Sequence, residues 1–174
     1  AVPGTVIAVG VLIPIAWLDN QIDFLSRIWF DYPTGLLLSG TLGILVFAYL
    51  VRFLSIALNT VDSGLISIKP NLDESARSLG ASPSKVLRRI HLPILRTSLL
   101  TALLLVFVEV LKELPTTLIL RPFNFNTLAV RTYELASDER LMDAALPALA
   151  IVIIGLLPVL LITKSILKER LKND

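Results

Sequence analysis

Glu109, Lys112 and Glu113 interrupt an otherwise apolar run over 97–120. On a continuous helix, spacings of three and four residues put these groups on one face, where Lys112 can neutralise a carboxylate. Ionisable groups within a membrane span usually face a bundle interior or a water-filled path. Two roles follow. The face lines a translocation path or its gate, or the charges form a buried ion pair that fixes helix packing. Pro115 frees a backbone carbonyl one turn earlier and can bend the run, and Arg121 follows at its far end. Glu109, Lys112, Glu113, Pro115 and Arg121 are the candidate path or gate residues. Other reactive groups are sparse. The chain has no Cys and one His, His91, which leaves no disulfide framework, no Cys nucleophile and little to build a thiolate or imidazole metal site. Gly-x-Ser-x-Gly, His-Glu-x-x-His, a dinucleotide fingerprint and a Walker A loop are all absent, so the chain is not expected to be an enzyme or to hold ATP itself.

The elements that carry these residues follow from composition. The chain has 174 residues, 55% hydrophobic and 17% charged, with a mean hydropathy of +0.78. Soluble domains carry about 25% charged residues. The runs 1–18, 33–51 and 144–163 have no charge at all. Apolar runs of about 17–25 residues are what a bilayer core of about 30 Å asks of a helix. Four spans are predicted, at about 2–18, 35–58, 95–120 and 145–163, in an all-α polytopic membrane protein. A very apolar soluble bundle is the alternative, but helices apolar all round have nowhere to go in water. The first run starts without Met and without a positive n-region, unlike a signal peptide. The chain is therefore expected to be the C-terminal part of a longer protein with further spans ahead of it. Pro3, Gly4, Gly10, Pro14, Pro115, Pro147, Gly155 and Pro158 sit inside the runs, as in the broken helices that membranes tolerate where neighbours satisfy the backbone.

Orientation follows from Lys and Arg. Lys69, Arg77, Lys85, Arg88, Arg89 and Arg96 lie between the second and third runs, and Lys164, Lys168, Arg170 and Lys172 follow the fourth. The opposite loops carry Arg27, Arg121, Arg131 and Arg140 among Asp19, Asp23, Asp31, Glu134, Asp138, Glu139 and Asp143. The positive-inside rule places 59–96 and the C-terminus in the cytoplasm, and four spans put both on one side.

The cytoplasmic segment reads Asn71-Leu-Asp-Glu-Ser-Ala-Arg-Ser-Leu-Gly80-Ala-Ser-Pro-Ser-Lys-Val-Leu-Arg-Arg-Ile90-His-Leu-Pro93. Asn71 with Glu74 three residues on resembles a capping box. Gly80 is a natural residue to end that helix, and Ser82-Pro83 reads as N-cap and first residue of the next. A short helix, a sharp turn and a second short helix are predicted. Leu72, Ala76, Leu79, Val86, Leu87 and Ile90 supply apolar contacts, while Arg77, Lys85, Arg88 and Arg89 stay in water. A DNA-binding helix-turn-helix has about this spacing. Flanking spans lie close, however, and no further helix completes a three-helix core, so nucleic acid is not an expected partner. An amphipathic loop on the membrane surface is the plainer alternative.

Glu74, Ala76 and Gly80, then Ile90, Leu92 and Pro93, resemble at matching spacing the EAA motif of binding-protein-dependent ABC importer permeases, the MetI-like family. That pattern is Glu-Ala-Ala, three residues, Gly, nine residues, Ile-x-Leu-Pro; Ser75 stands where the family has its middle Ala. The resemblance implies a coupling helix that docks on a separate ABC ATPase subunit, with ATP bound there and no cofactor in this chain. Ala76 and Gly80 would permit close approach, and Glu74 would pair with a basic group or hold the cap. It further implies a bacterial inner-membrane location among lipid, a periplasmic solute-binding protein, and a second permease half or a homodimer partner.

Further stretches are similar to the ferric-iron branch of that family: Ala1-Val-Pro-Gly-Thr-Val, Arg52-Phe53 at the cytoplasmic end of the second span, Lys112-Glu-Leu-Pro-Thr-Thr-Leu-Ile-Leu-Arg-Pro122, Thr127-Leu-Ala-Val-Arg131 and Ala136-Ser-Asp-Glu-Arg140. They cover nearly the whole chain and imply import of iron(III). Sulfate, thiamine and polyamine permeases share the EAA motif and stand as alternatives. A secondary transporter also uses broken spans and buried charges, but has no reason to carry this loop. Tyr133, Glu134, Asp138, Glu139 and Asp143 offer the hard oxygen ligands that Fe³⁺ takes. Acidic solvated loops are the ordinary complement of positive-inside topology, so docking of the binding protein, with Arg121 and Arg131, is the preferred use of this loop.

Overall fold

Apolar runs become helices where Pro and Gly let them. The computed structural model describes residues 2–173, apart from the side chains of Pro70, Leu161, Ile162 and 165–173. Ala1 of the opening motif and the side chains of Lys168, Arg170 and Lys172 lie outside the described residues. The helices are α1 (Gly4–Phe30), α2 (Leu42–Leu65), α3 (Pro70–Ser78), α4 (Pro83–Val86), a π turn (Leu87–His91), α5 (Leu92–Leu111), α6 (Pro115–Leu120), α7 (Leu128–Ser137) and α8 (Leu141–Asn173). Four helices are long and apolar enough to cross a membrane: α1, α2, the continuous helix Pro83–Leu111 and Leu141–Leu160 within α8. No strand occurs among the described residues, so the chain is an all-α polytopic membrane protein.

Helix ends depart from the ends of the apolar runs. The first helix continues past Leu18 to Phe30, because Asp19, Asp23 and Arg27 recur every four residues and share one face. Arg27 bonds Asp23 at 2.7 Å. The second helix starts at Leu42, not near 35. Gly35 and Gly40 take φ of 65° and 75°, which breaks a helix and which glycine adopts readily. The resulting loop folds back onto α1. Asp19 is fully buried and accepts the backbone N–H groups of Leu37, Leu38 and Ser39 at 3.2, 2.9 and 2.7 Å. Asp23 accepts that of Gly35 at 2.9 Å. The third run does not continue to 120: α5 stops at Leu111 and Pro115 opens a separate α6. Its ring would clash with the carbonyl of Leu111, and it is pre-set for a first helical position.

The chain divides into two compact units, 1–53 with 109–154 and 54–108 with 155–174. The core of the first is Ala8, Val11, Ile44, Leu45, Ala48 and Leu120, flanked by Ile7, Leu12, Ile15, Tyr49 and Phe125. Ala8 and Ala48 are fully buried; small residues of this kind let helix backbones approach in a membrane. In the second unit Gly64 has no room for a Cβ, which would fall on the side chain of Ser98. Leucines along the spans stay exposed, such as Leu50 and Leu103, as side chains that meet lipid do. Replacing Asp19 with Ala is expected to lower stability by about 3 kcal/mol, since three N–H groups lose a charged acceptor. Thermal unfolding in detergent, with protease cleavage in 31–41 as the local readout, checks this; an unchanged unfolding temperature would mean that the loop is held by other contacts.

Candidate functional site

Where α5 breaks, Leu114 occupies the N-cap position of α6 and has no side-chain oxygen to offer. Glu113, one residue earlier, does the capping. Its Oε1 accepts the N–H of Thr116 at 2.9 Å, and a carboxylate suits the positive end of a helix. The same oxygen accepts from Arg52 Nη1 at 2.7 Å. Arg52 Nη1 also donates to Thr116 Oγ1 at 2.9 Å, and that hydroxyl donates to the carbonyl of Gly4 at 3.2 Å. Thr117 Oγ1 donates to the backbone oxygen of Glu113 at 2.9 Å and receives the hydroxyl of Tyr49. Thr116 and Thr117 are fully buried and Glu113 nearly so, at 4% exposed. The guanidinium also lies 5.4 Å from the centre of the Phe53 ring, within cation–π range. A Cβ on residue 4 would land on the guanidinium, so Gly4 is there for space.

Three charges expected on one face are thus separated. The helix ends at Leu111, so Lys112 pairs with Glu109 at 2.8 Å, with side chains 57% and 36% exposed, while Glu113 turns inward to Arg52. Pro115 does not bend a span but starts α6. Arg52 is in the middle of α2, not at its end. Sequence reasoning missed it as a site residue, and with it Gly4, Tyr49, Thr116 and Thr117. The signal was present, since Arg52 is the one charge in 42–61 and a lone cation there has to find a carboxylate.

Arg121 ends α6 and pairs with Glu134 at 3.0 Å; it also bonds Asn126, whose amide donates to Glu134 at 2.8 Å. Arg131 approaches Glu134 at 3.6 Å. Arg121, Asn126 and Glu134, with Leu118, Pro122, Phe123 and Asn124, line an open cleft of about 490 Å³. Asp143 pairs with Arg140 at 2.6 Å. Among the described residues no three His, Asp or Glu side chains converge to hold a metal ion, so the acidic groups considered as iron ligands are not brought together.

The segment 71–93 is built by local rules. Helix α3 begins at Pro70 with Lys69 as N-cap and no side-chain capping bond, so the expected Asn71–Glu74 box does not form; Asn71 instead gives its carbonyl to Ser75 Oγ at 2.7 Å. At the other end Ala81 N–H bonds the Ala76 carbonyl at 3.0 Å and Gly80 N–H that of Arg77 at 2.9 Å. This is a Schellman motif, and Gly80 supplies its φ of 74°. No atom lies near a Cβ at Gly80. Glycine therefore serves the turn, not a close approach within the chain. Ser82 precedes Pro83 as N-cap, but its side chain makes no capping bond. The second helix is not short, since α4, the π turn and α5 run on as one. The N–H of Leu92 reaches back to Leu87, a widened turn directly before Pro93, whose ring would crowd the Arg89 carbonyl in a regular helix. Ala76 and Val86 are buried and Ile90 is half-buried, whereas Leu72, Leu87 and above all Leu79 (88%) are exposed. Glu74, Ser75 and Leu92 are exposed as well.

Removing one partner of a buried ion pair strands the other and costs about 3–5 kcal/mol. Arg52→Ala is therefore expected to lower unfolding stability in detergent by about that much. Adding Glu113→Gln should recover a large part of the loss; a double variant as unstable as the single one would show that the lost guanidinium packing matters and the stranded charge does not.

Residues 2–170 match the family described as binding-protein-dependent transport system inner membrane component. The chain is 29% identical over 168 residues to the Fe(3+)-transport system permease protein FbpB 2 of Haemophilus influenzae, which covers 97% of this chain and 30% of that protein. It is 32% identical over 134 residues to PhnV of Salmonella typhimurium, named for a 2-aminoethylphosphonate transport system, over 77% of this chain and 50% of that one. It is 27% identical over 139 residues to the ferric transport system permease protein FbpB of Actinobacillus pleuropneumoniae, over 80% and 20%. The chain thus spans half or less of the length of these relatives. A match that runs through all four apolar helices, the ion-pair site and the segment 71–93 identifies the chain as a member of the family of inner membrane components of binding-protein-dependent transport systems.

Proposed function

We propose that the chain is part of the permease of an ATP-driven ABC importer, with iron(III), delivered by a periplasmic binding protein, as its solute. The observation that carries this reading is the segment 71–93. The motif residues Glu74, Ser75, Ala76, Gly80, Ile90, Leu92 and Pro93 lie on a short helix, a glycine turn and the start of a span, and Leu72 and Leu79 face outward beside them. Exposed leucines outside the four spans suit a protein partner, and the partner in this reading is an ATPase subunit. The excess of Lys and Arg in 59–96 supports a cytoplasmic position for that segment and the C-terminus. ATP is bound on the partner and no cofactor in this chain. A second permease half or a second copy completes the pore.

Two of the relatives described above are named for iron(III), which favours that solute. PhnV favours 2-aminoethylphosphonate as the second reading. Glu113, held by Arg52 at the break before Pro115, is the gate; Glu109 and Lys112, the more exposed pair, line the path. Arg121 belongs to the cleft where solute or binding protein arrives.

Full-length permease, purified with its ATPase and binding protein in proteoliposomes, is expected to take up radioactive iron(III) when ATP is supplied. Gly80→Trp forces a bulky side chain into a left-handed backbone position and should lose both the ATPase on purification and the uptake. Wild type that keeps its ATPase but takes up 2-aminoethylphosphonate instead would reject iron and keep the importer. An ATPase that never co-purifies would favour a secondary transporter. In the same assay Glu113→Gln should reduce uptake at least about ten-fold, since it leaves the Arg52 charge at the gate without its carboxylate. Normal uptake with normal assembly would remove Glu113 from the gate and leave it a packing residue.

A further inference from the structure

His91, the one histidine of the chain, is absent from the six motif positions, yet it makes a specific bond. Its Nε2 lies 2.6 Å from Oδ1 of Asp73. A carboxylate only accepts, so Nε2 carries the proton. The side chains of His91 and Asp73 are 21% and 33% exposed, partly withdrawn from water. Asp73 sits in the first turn of α3, where the helix dipole favours a carboxylate. His91 ends the π turn. The bond therefore ties α3 to the long helix that starts at Pro83, across the turn made by Gly80, and both ends lie in the same compact unit.

Among the described residues, little beyond the Schellman bonds is on hand to aim α3. It has nine residues, too few to hold a helix without tertiary contacts. Among its described residues one apolar side chain, Ala76, is buried, while Leu72 and the C-cap Leu79 are exposed. A glycine turn alone leaves the angle between two helices loosely set. The π turn gives His91 its direction toward α3, and Pro93 is the reason that turn is widened.

We infer that the Asp73–His91 bond is a latch that fixes the direction of α3 and so presents Leu72 and Leu79 to the ATPase subunit. Asp73 and His91 are positioning residues, acting through α3. The inference rests on the coupling role proposed for 71–93.

The test uses full-length permease freed of any other cysteine, with nitroxide labels on Arg77→Cys and Leu99→Cys, both exposed. Electron–electron resonance reads the distance between them, and binding of the purified ATPase subunit is titrated in parallel. Wild type should give one narrow distance distribution. His91→Leu should broaden it and weaken ATPase binding about ten-fold, the scale of one hydrogen bond to a charged group. His91→Gln puts an amide N–H near the place of Nε2, and should restore both. A distribution as narrow in His91→Leu as in wild type overturns the latch, and so does His91→Gln behaving like His91→Leu. Should His91→Leu fail to insert, Asp73→Ala is read in its place. Wild type that binds no ATPase at all rejects the coupling role and the docking purpose with it, while the label distances still report whether the bond aims α3.

Discussion

A guanidinium in the middle of a membrane helix has to be neutralised close by, and Arg52 sets that demand for the first unit of this protein. A charge left alone at such depth is too costly to keep. Glu113 answers it, and can do so because α5 has already ended at Leu111 and released the chain from helical direction. The carboxylate then serves two neighbours at once, the guanidinium and the start of α6. Four segments meet as a result: the start of α1 at Gly4, the middle of α2, the break at 112–114 and α6. Any packing that separated Arg52 from Glu113 would leave a buried charge unmatched.

The helical class and the number of long apolar helices were legible because they depend on runs of composition. Their ends were less so. Hydropathy read 33–51 as one run, but the chain follows glycine and the carboxylate of Asp19 instead, and the acceptor lies some 20 residues away from the loop it holds. The i, i+4 series Asp19, Asp23, Arg27 did carry the information that α1 continues. Charges three and four apart share a face only on an unbroken helix; α5 ends before Pro115, and the partner of Glu113 is 61 residues distant. A long-range pair of this sort leaves no periodic trace.

The EAA-like segment shows the opposite case. Gly80 ends α3 as its sequence position suggested, and the Schellman bonds follow from the nearest residues. What was not legible was the end of α4. The sequence pattern predicts a second short helix, yet the helix runs on through Pro93 by way of one wide turn. The two informative glycines also differ in purpose, Gly4 for space beside Arg52 and Gly80 for backbone conformation.

The wide turn has a bearing on how this stretch of chain tolerates change. A helix advances by about 100° per residue, and a π turn holds one residue more than an α turn. Residues 92–108 are therefore offset in angular phase from those of α4 by about one residue's worth. The nine residues between Gly80 and Ile90 then act as a phase count. Adding or deleting one would carry His91 away from Asp73 and rotate the apolar faces of the following helix together, so length in this stretch is constrained more tightly than residue identity.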